Sequence, residues 1–241
     1  MPTEAGDMKL LGNFRKLIEF VSADPNYNPS NAAITKIALE AKDTGATIVA
    51  QDVPNKNAPY KTAVQERGEA FEQLPARGRR VRNVAKASGA SETALANLET
   101  PLRKLSGGRA AAKIKDDPNT PEDESASQRS VSQLSYDNQV GNFRSFVALV
   151  RELTTYQPNE DDLKVTALEA YANELDEKNT AVIAASVPLS QARALRDQVL
   201  YTNPDSVVNI AALVKTYVKG ALGTSSALHK NIKGLVFTRK N

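Results

Sequence analysis

Gly12-Asn13-Phe14-Arg15, near the start of the chain, returns as Gly141-Asn142-Phe143-Arg144, 129 residues later. At the same offset Val21 matches Val150, Tyr27 matches Tyr156, Pro29 matches Pro158, and Ala38-Leu39-Glu40-Ala41 matches Ala167-Leu168-Glu169-Ala170. Further on, Val53, Pro59, Ala63, Arg67, Pro75 and Lys86 match Val182, Pro188, Ala192, Arg196, Pro204 and Lys215. These are 17 identities between positions 12 and 86 with no gap, where chance, at roughly one position in fifteen, would supply about five. Beyond Lys86 the register shifts by a few residues, and Gly89-Ala90-Ser91 and Asn97-Leu98 then resemble Gly223-Thr224-Ser225 and Asn231-Ile232. Self-similarity of this kind constrains architecture before any other signal, and it reads as the duplication of one structural unit.

Each copy reads as a set of helices. Leu11, Phe14, Leu17/Ile18 and Val21 recur at helical spacing and predict a helix ending near Asp24-Pro25. Asn28-Pro29 has the chemistry of a helix start, a capping side chain followed by a residue with no amide to leave unpaired. Gln157-Pro158 repeats the device ahead of Glu160, Asp161 and Asp162, which suit the positive end of a helix dipole. A second helix is expected to bury Ile34, Ile37/Ala38, Ala41, Ile48/Val49 and Val53, matched by Leu163, Ala167, Leu168, Tyr171, Leu175 and Val182 in the second copy. Pro59 and Pro188 are expected to open a third helix, carrying Tyr60, Ala63/Val64, Arg67, Ala70/Phe71 and Leu74 on one stripe. Pro75 and Pro204 then break or kink the chain, because proline lacks a donor and clashes with the preceding turn. A fourth segment is clearest as Val207, Ile210, Leu213/Val214 and Tyr217/Val218. Leu95, Leu98, Leu102 and Leu105 give the 3-4-3 seam of a paired helix. No stretch alternates with a period of two, so the fold is expected to be all-α.

The whole chain then reads as two tandem antiparallel bundles of four to five helices each, over 1–106 and 136–241, with a polar segment at 107–135 between them. That segment carries Asp116-Asp117-Pro118-Asn119-Thr120-Pro121-Glu122-Asp123-Glu124 and has the composition of a linker. Gly12 and Gly141 occupy matching places in the first helix, where glycine costs about 1 kcal/mol relative to alanine. Close helix crossing against small residues would explain them; a helix beginning just after the glycine is the other reading.

Composition narrows the chemistry. The 241 residues include no Cys and no Trp, with 41% hydrophobic and 24% charged residues, so neither a disulfide framework nor a thiolate metal site is available. The N-terminus lacks a basic segment followed by an apolar one, and no apolar run approaches the ~20 residues that a membrane span needs. A cytoplasmic protein without membrane insertion is the expectation. Charge is uneven: residues 8–115 hold 18 Lys and Arg against 10 Asp and Glu, 116–138 hold one against six, and 139–241 hold 12 against 10.

The densest cationic stretch is Arg77-Gly78-Arg79-Arg80-Val81-Arg82-Asn83-Val84-Ala85-Lys86. Arg77, Arg79, Arg80, Arg82 and Lys86 are the candidate anion-binding residues, because guanidinium groups at this density suit phosphates. The aligned stretch Ser206-Val207-Val208-Asn209-Ile210-Ala211 has no arginine, so the scaffold does not require them. A solvated helix face, or a dock for the acidic linker, would account for the same residues. No aromatics are interleaved, which offers little to a stacked single strand.

Other constellations fail on their own chemistry. Glu66, Glu69 and Glu72 fall three residues apart, but the di-metal bundles need a Glu-x-x-His pair from two helices, and the single histidine, His229, has no acidic residue three positions before it. Glu40 and Glu169 read as partners for Lys or Arg across helices. No serine sits in a nucleophile elbow, and Gly107-Gly108-Arg109 lacks the phosphate-loop signature. Phe14, Phe143, Phe146, Tyr27 and Tyr156 read as core, while Phe237 either closes the second bundle or meets a partner. No catalytic residue, metal site or cofactor is assigned, and an enzyme is not expected.

The Gly-Asn-Phe-Arg and Ala-Leu-Glu-Ala repeats, with Ser132-Gln133-Leu134-Ser135-Tyr136-Asp137-Asn138, resemble a group of uncharacterised all-helical bacterial proteins with tandem repeats, chiefly from the Bacteroidota. The resemblance spans nearly the whole chain and implies the helical fold without an activity. The functional expectation is a non-enzymatic scaffold or protein-interaction protein, self-associating or bound to another protein. The alternative is binding of nucleic acid or another polyanion through the basic first copy.

Overall fold

The computed structural model describes residues 4–106 and 135–238, and every regular element among them is helical. The chain runs through α1 (Glu4–Ala23), α2 (Lys36–Glu72), α3 (Leu74–Ala87), α4 (Glu92–Leu105), α5 (Tyr136–Arg151), α6 (Val165–Asp197), α7 (Val207–Ala221) and α8 (Ala227–Ile232). Of the expected linker only Ser135 lies among the described residues; its hydroxyl caps α5 by accepting from the amide of Asn138 at 3.3 Å. Docking of that linker on the arginines likewise lies outside the described residues.

Helix α1 buries the predicted stripe, Leu11, Phe14, Leu17, Ile18 and Val21. The connection from α1 to α2 departs from expectation. Asn28-Pro29 does not start a helix; Asn31 caps a single 3₁₀ turn, Ala32–Ile34, with its side chain accepting from the amide of Ala33 at 2.9 Å. The reason is Tyr27, whose ring enters the core and whose hydroxyl donates to the carbonyl of Ile34 at 2.6 Å. That bond needs a closed loop between 27 and 34, so the helix begins after it. The second copy repeats the device: Tyr156 donates to Leu163 at 2.8 Å, around the 3₁₀ turn Asp161–Leu163.

Pro59 and Pro188 do not open new helices either. Helix α2 runs 37 residues through both Pro54 and Pro59, and α6 runs 33 residues through Pro188. An interior proline forfeits a hydrogen bond and costs about 3 kcal/mol, and tertiary packing outweighs it here. Val53 is buried against Leu189 and Ala192, with Tyr60 packed alongside. Breaks do come at the next prolines. Pro75 occupies the first turn of α3, and Pro204 follows the π turn Gln198–Thr202 that ends α6.

Helix length decides the partition. An α-helix of 37 residues measures about 55 Å, longer than one small core can cover, so its two ends serve different cores. The chain accordingly divides into two compact units that cut across the two sequence copies: residues 1–61 with 185–241, and residues 62–184. They differ from the bundles expected at 1–106 and 136–241.

In the first unit α1 packs on α7 and α8. Its core joins Leu11, Phe14, Leu17 and Val21 to Val207, Ile210, Val214 and Val218. In the second unit α5 packs on α4, and α4 on α3. There the leucine seam of α4, Leu95, Leu98, Leu102 and Leu105, meets Val140, Phe143, Val147 and Phe71. Each unit therefore combines helices from both copies.

Two further expectations are corrected. The buried residues of α2 in the first unit are Leu39, Ala46 and Val53, whereas Ile37 and Ile48 are 80% and 65% exposed. Ile48 stands nine residues from Leu39, half a turn away at about 100° per residue. Gly12 and Gly141 lie inside α1 and α5, yet a Cβ at either would meet nothing within 4 Å. The glycine that does allow close approach is Gly78, where a Cβ would come 2.7 Å from Leu102 Cδ1.

Candidate functional site

The arginine-rich segment forms α3, whose buried face is Leu74, Gly78, Val81 and Ala85. With that face inside the second unit, the cations fan out around the rest of the helix. Arg77 stacks on the Tyr171 ring at 4.0 Å. Arg80 makes a two-pronged pair with Asp162, at 2.5 and 3.3 Å, and this hydrogen bond holds the Asp162 carboxyl below its ordinary range. Arg82 pairs with Glu99 of α4 at 2.5 Å. Arg79 and Lys86 remain on the exposed side. The sequence-predicted cluster is thus divided: Arg77, Arg80 and Arg82 each meet a partner within the second unit, whereas Arg79 and Lys86, like the paired Arg80, are exposed.

The two copies of the repeated arginine make more enclosed arrangements. In the first unit Arg196 is 8% exposed, with Nη1 3.1 Å from Oδ2 of the buried Asp7. Its Nε and Nη2 donate to Asp197 Oδ1 at 3.1 and 2.9 Å. The other oxygen of Asp7 accepts from the Tyr201 hydroxyl. Burial first, and then this bond to a carboxylate, push the Tyr201 hydroxyl well above its usual range.

In the second unit the repeat partner, Arg67, lies over the Tyr136 ring at 3.8 Å and donates to Asn179 Oδ1 at 3.1 Å. Asn179, 5% exposed, passes the connection on by donating to Asp137 Oδ1 at 2.6 Å. Glu66 beside it accepts from Lys178 at 2.8 Å. In both units the repeated arginine, from one copy, is received by the first turns of the helix that opens the other copy.

The Asp7–Arg196 network is anchored on several sides, as a desolvated arginine with a buried carboxylate needs. Asp7 and Asn179 belong to no repeated identity, so the sequence alone does not single them out. The signal that points to them is the repeated Arg67/Arg196 pair, since a cation kept in both copies needs an acceptor in each. His229 lies near the start of α8, half-buried, with its amide bonded to the capping hydroxyl of Ser226 at 3.2 Å. Glu169 pairs with Arg151. Among the described residues no group of three or more His, Cys, Asp or Glu is disposed to hold a metal ion, and no helix is long and apolar enough to cross a membrane. No protein-family model, curated protein or solved structure matches the chain.

Proposed function

We propose that the protein is a non-enzymatic helical scaffold that presents helix faces to a protein partner. The observation that carries this reading is the outward apolar stripe on α2: Ile37 and Ile48, 80% and 65% exposed, with Ala41 and Thr44 also exposed between them. Residues 37 and 48 are eleven apart, three turns and about 20°, so they stand on one line of the helix. Burying two isoleucines against a partner would contribute about 1.5–3 kcal/mol each. Asp7, Arg196 and Asn179, by contrast, are buried and engaged in bonds that run between helices.

The test is a photoreactive residue in place of Ile48, irradiated in the native host. A discrete adduct that disappears with Ile37→Asp, while helicity and melting are kept, supports the scaffold. A monomer with no adduct, combined with turnover of a small molecule, overturns it. The polyanion reading retains Arg79 and Lys86 as its outward cations. It predicts low-salt binding of DNA or RNA that is lost in R79S/K86S and unaffected by pairing-neutral changes elsewhere on α3.

A further inference from the structure

The segment after α8 is held by side chains of α1 and α7. From Leu235 to Thr238 the chain is neither helix nor strand. Its main-chain oxygens are gripped by side chains: Lys215 Nζ of α7 donates to Lys233 O at 3.3 Å and to Leu235 O at 2.5 Å, and Asn13 Nδ2 of α1 donates to Val236 O at 2.9 Å. The Leu235 and Phe237 side chains, two residues apart, pack against the unit's core, while Val236 between them is 64% exposed. The Phe237 ring sits 5.3 Å from the Lys215 ammonium, and burial depresses that ammonium's pKa.

This is how a protein holds a peptide. Bonds to main-chain oxygens supply affinity whatever the sequence, and two alternate side chains supply selectivity. Gly89 and Gly223 both adopt φ near +80°, at +83° and +82°, and each precedes a serine-capped helix. Helix α4 then continues for 14 residues where α8 stops after six. Asn142, the repeat counterpart of Asn13, has a buried Nδ2 with no hydrogen-bond partner among the described residues.

We propose that the strip between Asn13 and Lys215 is a docking site for an extended segment of a partner protein with an apolar residue and an aromatic two positions apart, and that residues 233–238 occupy it in cis. The partner displaces the tail, so the tail sets the threshold for binding. This strip is a different surface from the Ile37–Ile48 stripe, and each proposal fails or stands separately.

The test uses the full chain with L235S/F237S, which releases the tail's two anchors, and a fluorescein-labelled peptide of sequence Lys-Gly-Leu-Val-Phe-Thr. Anisotropy should show saturable binding at least tenfold tighter to L235S/F237S than to wild type. Adding Lys215→Met or Asn13→Ala should weaken it at least tenfold. A cooperatively melting L235S/F237S chain that binds no peptide, or binds regardless of both clamp residues, overturns the proposal. Should that variant not fold, the wild-type chain carries the test. Because the chain has no cysteine, T238C can take a single environment-sensitive dye. Excess unlabelled peptide should shift its emission, and no shift at millimolar peptide overturns the proposal. A wild-type dimer lost with F237S would overturn it in favour of tail exchange between two copies.

Discussion

Asp7 and Arg196 form an ion pair of 3.1 Å with side chains only 6% and 10% exposed. It joins the first turns of α1 to the end of α6. Neither charge has open access to water, so each depends on the other and on Tyr201 and Asp197.

Arg196→Met should therefore be among the most destabilising substitutions in the chain. It strands the Asp7 carboxylate with the Tyr201 hydroxyl alone, a loss of about 3–5 kcal/mol. Adding Asp7→Asn should return part of that loss, because the uncompensated charge goes too. Arg67→Met should cost less than half as much, since Arg67 meets a ring and a neutral amide. Urea unfolding of the single and double variants checks the order.

The repeated tyrosines are expected to behave alike. Tyr27→Phe and Tyr156→Phe each leave a loop carbonyl unpaired and should each cost about 1–3 kcal/mol. They also give a pH signature. Burial, with some repulsion from Glu160, pushes the Tyr156 hydroxyl up to about 12, against about 10 in the unfolded chain. A raised phenol favours the folded state fully below the unfolded value. The gain is lost as pH rises from about 10 to about 12. The melting temperature should be level from about pH 7 to 9 and fall above about 10, less steeply in Tyr156→Phe.

Glycine substitutions should separate by site. Gly12→Ala and Gly141→Ala add a Cβ into open space within helices and should stabilise by about 0.5–1 kcal/mol each. Gly78→Ala gains the same helix propensity but drives a methyl to 2.7 Å from Leu102 Cδ1, so its net effect should fall below theirs. Gly78→Val should be plainly destabilising, by about 1–3 kcal/mol. Thermal melts of the four variants test the ranking.

The interior prolines make an opposite prediction. If α2 persists through Pro59 because packing outweighs the proline, Pro59→Ala should raise the melting temperature, with a gain of up to about 3 kcal/mol. If Pro59 instead shaped a required bend, the same change would lower it. Pro75→Ala, in the first turn of α3 where no bond is lost, should be nearly neutral.

Much of the local structure was legible in the residues. The stripe Leu11, Phe14, Leu17/Ile18 and Val21 predicted α1, the leucine seam predicted α4, and Val207, Ile210, Val214 and Val218 predicted α7, because a period of 3.6 residues is a property of one helix alone. The phase failed on α2. Ile37 and Ile48 are as apolar as the residues that pack, and only the neighbouring elements decide which stripe faces inward. The arginines of α3 were legible as a cluster but not in their roles. That Arg77 meets Tyr171, Arg80 meets Asp162 and Arg82 meets Glu99 depends on which helices stand beside α3.

What the sequence determined by itself was the all-helical character and the breaks at Pro75 and Pro204, each arising from residues within a few turns of one another, and, through the repeat, the paired Arg67/Arg196 and Tyr27/Tyr156 positions. Tertiary structure alone decided that α2 and α6 run unbroken through Pro59 and Pro188, and hence which helices share a core. A proline's cost is local and a few kcal/mol, while the packing that outweighs it comes from residues more than a hundred positions away, such as Leu189 and Ala192 on Val53. With α2 unbroken, its start belongs to the core of α1 and its end to the core of α3 and α4, and each core is completed by helices from the other copy.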